Sequence, residues 1–115
     1  ADCLTRLGLI PRLQHMTRQC KRIASKYAFH VHVKDFLYKS GNELKPGGWW
    51  AVTNGGNYVR GTILGHGVVP VKACLNALKK EKYDGYLSLE FEGREECLPA
   101  IQDGLEYLKR IIDTL

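Results

Sequence analysis

Two short stretches alternate strictly between polar and apolar residues: FHVHVKDF over Phe29–Phe36 and YLSLEFEG over Tyr86–Gly93. A period of two marks an extended strand whose two faces meet different surroundings. In the first, Phe29, Val31 and Val33 point one way while His30, His32 and Lys34 point the other. In the second, Leu87, Leu89 and Phe91 oppose Ser88, Glu90 and Glu92. The flanking segments are helical in pattern. Leu13, Met16, Cys20, Ile23 and Tyr27 recur at three and four, with Pro11 suited to the first turn. Pro70 opens a second helix with Val71, Cys74, Leu75 and Leu78 on one face, stopped by the turn Lys82-Tyr83-Asp84-Gly85. A third starts near Pro99, with Leu98, Ile101, Leu105, Leu108 and Ile112 as its expected buried stripe.

Strands separated by helices pair in parallel, because the crossover returns the chain to the same end of the sheet. An open doubly wound sheet carries helices on both faces and needs both apolar. Here one face of each strand is polar. A closed barrel fits that pattern, since its lumen takes the inward residues and its outer helices cover the others. The expected fold class is therefore α/β, a part of a (β/α)8 TIM barrel with about two parallel strands and three helices. A complete barrel takes about 250 residues. With 115 residues, the chain reads as one segment, 1–115, incomplete on its own, and its start at Ala-Asp-Cys agrees with an origin inside a longer product. Residues 37–69 hold most of the glycine and proline punctuation and read as a long loop of roughly thirty residues, the length of a lid or binding segment.

The net charge of +5 comes from scattered bases: Arg12, Arg18, Lys21, Arg22 and Lys26, then Lys79, Lys80 and Lys82. Solvated helix faces look like this; a nucleic-acid track is clustered. Cys3, Cys20, Cys74 and Cys97 are far apart and form no CxxC pair, which points away from zinc and toward reduced thiols in a cytoplasmic compartment. No run is long enough to span a membrane.

The polar strand faces carry the chemistry. His30 and His32 project from one face, about 7 Å apart along the backbone. Imidazole is the commonest metal ligand, although an exposed HxH needs no function at all. A carboxylate such as Glu90 is costly inside a barrel unless paired or bound to a cation, which makes it the preferred ligand and proton-transfer group, with Glu92 second. In the long segment, Arg60 precedes Gly65-His66-Gly67; a guanidinium suits hydroxyls or a phosphate, and flanking glycines let backbone approach a ligand. Trp49 and Trp50 fit either an apolar wall or ordinary packing.

HVHVKDF, RGTILGHGVVPV and YDGYLSLEFEG with its closing helix together resemble the C-terminal part of the sugar isomerase/epimerase family with a xylose-isomerase-like TIM barrel, from about Lys21 to Ile112. The resemblance implies that His32, three residues before Asp35 and on the seventh barrel strand, is a metal ligand. It makes Glu90, on the eighth strand, both a ligand and the catalytic acid/base. Arg60 becomes a substrate contact, with His66, His30 and Asp35 expected beside it. The cofactor implied is a divalent metal, Mn2+ or Mg2+, and the substrate a small sugar or sugar phosphate, isomerised or epimerised through an enediolate. The family's site also draws a glutamate and an aspartate from earlier strands, which residues 1–28 do not supply. The remaining barrel segment, another protein chain or a second copy is the partner expected; nucleic acid and membrane are not. Two alternatives stay open: a non-catalytic truncated barrel module that associates with another chain, and an abasic-site endonuclease-like protein, for which a basic groove is missing.

Overall fold

The computed structural model describes residues 27–115. The helix expected upstream, with Cys3 and Cys20, lies outside the described residues. Along the chain come β1 (His30–Val33), β2 (Asp35–Lys39), β3 (Ala51–Val52), β4 (Tyr58–Thr62), α1 (Val71–Lys80), β5 (Tyr86–Leu89) and α2 (Cys97–Asp113). β1 and β5 pair in parallel, with His30 beside Tyr86 and Val33 beside Leu89. α1 provides the crossover between them. This is an α/β unit of barrel-wall type, and no closed barrel forms among the described residues.

Helices cover one face of that parallel pair. Val33, Leu64, Val71, Leu75, Leu108 and Ile111 form the buried cluster, and Val31, Val69, Leu78, Leu87, Leu89 and Tyr107 pack against it. The apolar parity of both strands thus meets α1 and α2, as the alternation requires. Leu108 is only 4% exposed, at the centre of the packing. Leu108→Ala is expected to cost about 2–5 kcal/mol, seen as a lower urea midpoint with an unchanged slope.

The stripe of α2 differs from the one expected. Its buried residues are Ala100, Gly104, Leu108 and Ile111, whereas Leu98, Leu105 and Ile112 are 76%, 39% and 45% exposed. The reason is the close approach of helix to sheet. A Cβ on Gly104 would sit 3.1 Å from Leu89 Cδ2 and 3.4 Å from Leu64 Cβ, so the line of contact runs along the smallest residues. Hydrophobic spacing alone finds Leu108 but selects Leu98, Leu105 and Ile112 in place of Ala100, Gly104 and Ile111.

The segment expected as a long loop is also different. β2, β4 and β3 form an antiparallel sheet in that order, with Phe36 opposite Gly61 and Ala51 opposite Val59. The β3–β4 hairpin is closed by Thr53 and Asn57: Thr53 N donates to Asn57 O at 2.8 Å, and Asn57 N donates to Thr53 Oγ1 at 3.1 Å. Gly56 supplies the positive φ of 77° that this turn needs. FHVHVKDF itself divides at Lys34, because Asp35 turns into the interior and starts the second sheet.

After α1, Lys82 adopts φ 56°, and Tyr83 N donates to Leu78 O at 3.0 Å. This left-handed exit favours glycine. Lys82→Gly is therefore expected to stabilise the fold by up to about 1 kcal/mol, read as a higher melting temperature.

Candidate active site

The polar face of the parallel pair carries three rungs. His30 Nε2 is hydrogen-bonded to Ser88 Oγ at 2.6 Å, His32 Nδ1 lies 3.0 Å from Glu90 Oε2, and Lys34 Nζ lies 3.5 Å from Glu92 Oε2. His30 and His32 each reach the residue two positions beyond their register partner, and Lys34, just past β1, continues the same offset, because strand side chains lean along the strand and long ones span the diagonal. Lys34 Nζ also sits 3.0 Å from Glu90 Oε2, so imidazole and ammonium converge on one carboxylate oxygen. The His30 ring meets the His32 ring edge-on with centroids 5.2 Å apart. Glu90 N donates to Val33 O at 3.0 Å, carrying the strand pairing up to the carboxylate itself. The cluster lies at the carboxyl ends of the strands, where barrels place their chemistry.

A carboxylate can only accept, so the proton on this bond belongs to His32 Nδ1, and an ion shared by the two groups would take that proton's place. Both contacts to Glu90 fall on Oε2. Oε1 has no hydrogen bond among the described residues. The pair thus offers one imidazole nitrogen and one carboxylate oxygen, the donor types a divalent manganese or magnesium site takes. His32 and Glu90 fit as two such donors. No group of three or more His, Cys, Asp or Glu side chains able to hold an ion occurs among the described residues.

The Lys34 hydrogen bond, then the His32 hydrogen bond, hold the Glu90 carboxyl below its usual value of 4.5. Burial of Lys34 pulls its ammonium down, but the hydrogen bond to Glu90, the charges of Glu92 and Glu90 and the hydrogen bond to Glu92 outweigh it, leaving the net shift upward from 10.5. The signs set a window. Glu90, with its lowered value, contributes stability above pH 4.5 that is lost as pH falls through its folded-state value. Lys34, with its raised value, contributes stability below pH 10.5 that is lost as pH rises through its own. Urea midpoints measured against pH should fall on both flanks, and Lys34→Met should flatten both. A profile identical in the two proteins would remove this coupling.

The other expected site residues fall elsewhere. Asp35 is 2% exposed. Its carboxylate accepts four backbone N–H bonds, from Phe36 at 2.8 Å, Gly65 at 2.9 Å, and Gly67 and Val69 at 3.0 Å each. That setting differs from a substrate contact: Asp35 shapes the loop that presents His66. His66 itself is exposed at the tip, beyond Gly65 with its positive φ. Arg60 lies on β4 with its guanidinium 5.0 Å from the centroid of the Trp50 ring, and its Nε is buried without a hydrogen-bond partner. Its strand neighbour Gly61 packs on the Glu92 backbone, where any Cβ would collide, so alternation directs Arg60 to the opposite face of that sheet. Next to it, Glu95 takes a hydrogen bond from Thr62 Oγ1 at 2.8 Å.

Lys34 was the residue that motif reading passed over. Parity alone could have found it, since it shares a face with His30 and His32 and meets glutamates of equal parity.

A helix-backed parallel strand pair with a His–Glu–Lys cluster at its carboxyl end is a segment of barrel-wall type. The chain belongs to the xylose isomerase-like TIM barrel family, whose model matches residues 5–111. That family includes sugar isomerases and epimerases as well as endonuclease-like members. No curated protein and no solved structure matches the chain. No helix among the described residues is long and apolar enough to cross a membrane.

Proposed function

We propose that the chain forms the C-terminal part of a divalent-metal-dependent sugar or sugar-phosphate isomerase/epimerase that works in the cytoplasm. The observation that carries this reading is the 3.0 Å approach of His32 Nδ1 and Glu90 Oε2 from adjacent parallel strands. His32 and Glu90, through the atoms that face each other, would hold the manganese or magnesium ion in place of their shared proton, with the remaining donors from strands outside this segment. Once bound, the ion would polarise the sugar's carbonyl and hydroxyl oxygens and acidify the neighbouring C–H. Glu90 would move that proton on one face of the sugar and a carboxylate from the strands outside this segment on the other, so that the sugar passes through an enediolate. His32 and Lys34 keep the carboxylate oriented and charged. His30 and His66 complete the proposal as polar groups near substrate and Asp35 through the loop it shapes, while Arg60, stacked on Trp50 on the opposite face of its sheet, supports the wall.

The test is carbon-bound deuterium. The full-length protein from cells, incubated with ketohexoses or their phosphates in D2O and manganese, should wash deuterium into the sugar next to the carbonyl. No exchange, together with cleavage of an abasic duplex, would transfer the assignment to the endonuclease-like branch.

One observation favours a second reading. Both outer edges of the β1–β5 pair are unpaired among the described residues, and Leu98, Leu105 and Ile112 stay exposed on α2. Such surfaces need a cover, from the rest of a barrel, another chain or a second copy. Sedimentation of the 115-residue segment separates the cases: a stable monomer argues against an association module, and a defined oligomer supports one.

A further inference from the structure

We propose that Lys34 is a positioning residue for Glu90, an assignment that rests on the isomerase/epimerase reading and adds a residue to it. The ammonium lies 3.0 Å from Glu90 Oε2 and 3.5 Å from Glu92 Oε2, and 5.9 Å from the centroid of the Phe36 ring behind it. Its side chain is 18% exposed, against 58% for His32. Lysine on a strand face usually extends into water; this one is walled in between two carboxylates and a ring.

The bridge has two consequences. Glu90 and Glu92 project from the same face two residues apart, and their mutual repulsion would swing one of them away without a shared cation. Lys34 supplies it. Because Lys34 and His32 grip the same oxygen, the carboxylate is held at Oε2 and its other oxygen is left for chemistry. When a metal ion adds positive charge at Glu90, Lys34 still has Glu92 as a partner and need not leave its place. It therefore orients a metal-binding carboxylate from behind, as groups hydrogen-bonded to metal ligands do, and their loss typically costs 10- to 100-fold in metal affinity or activity.

The experiment compares Lys34→Met and Lys34→Arg in the full-length protein. Manganese affinity is read by calorimetry, and deuterium exchange is read as kcat and KM separately. Lys34→Met should weaken manganese binding and lower kcat by about 10- to 100-fold each, with KM within about twofold, and Lys34→Arg should recover most of both. Unchanged affinity and kcat in Lys34→Met would overturn the assignment, as would equal impairment of both variants with equally lowered melting temperatures. If the unaltered protein neither binds manganese nor exchanges deuterium, the parent reading fails first. The bridge is then judged from urea midpoints of Lys34→Met, Glu90→Gln and the double variant: non-additive shifts retain it, and additive shifts end it.

Discussion

Asp35→Ala should lose about 4 kcal/mol of folding stability, the largest effect expected of any single polar residue described here. Its carboxylate is the acceptor for the backbone amides of Phe36, Gly65, Gly67 and Val69, and it is 2% exposed. Removing the side chain leaves four donors facing each other in a space from which water is largely excluded. An unpaired buried donor costs about 1–3 kcal/mol, and four sharing one hole relax together, so the total is smaller than the sum. Against a typical domain stability of about 5–15 kcal/mol, the loss is severe. Asp35→Asn should fall between the two, because the amide keeps one acceptor oxygen but turns an NH2 toward donors. Hydrogen exchange offers the sharper measurement: the Gly65, Gly67 and Val69 amides should lose protection before α1 and α2 do. Uniform loss across the protein, or none, would show that the carboxylate does not organise this loop.

Glu90→Gln in the full-length protein should reduce deuterium exchange into the sugar by about 10²- to 10⁴-fold, the usual contribution of a positioned acid or base. The amide preserves size and can still meet His32 and Lys34, so the fold should persist. What it lacks is the ability to take a proton from carbon. Its charge is also gone, so manganese affinity should drop in the same variant. His32→Ala should weaken manganese binding with a smaller effect on exchange at saturating metal. Exchange that survives Glu90→Gln at the unaltered rate would remove Glu90 from the chemistry, leaving its contact with His32 as an ordinary surface pair.

Much of the wall was legible in the linear pattern. Alternation in HVHV and YLSL named the strands, and their parities sorted Val31, Val33, Leu87 and Leu89 from His30, His32, Ser88 and Glu90. Those assignments depend on strand geometry alone, with a period that no tertiary contact can change. The helix Val71–Lys80 was equally plain, since proline, apolar spacing and a turn all mark it. Residues 37–69 were not legible as a sheet. Its strands are two to five residues long, and β4 carries a glycine at the position that packs on Glu92, so no alternation stands out. The Thr53–Asn57 turn was the signal available there.

The candidate site divides in the same way. That His32 and Glu90 belong to one face follows from residue order, strand parity and a helical crossover, all properties of the chain as written. Which atom meets which does not: the parallel register, with His32 beside Ser88, is set by packing of α1 and α2 beneath the strands, and only that register lets imidazole and ammonium share Oε2. Asp35 shows the same limit. Two residues on from Val33 it shares the buried parity, and whether a carboxylate there faces a ligand or a ring of amides depends on where Gly65–Val69 folds back, some thirty residues away. Local periodicity specifies faces because backbone geometry repeats; partners across the fold are chosen by close packing, which no short window of sequence contains.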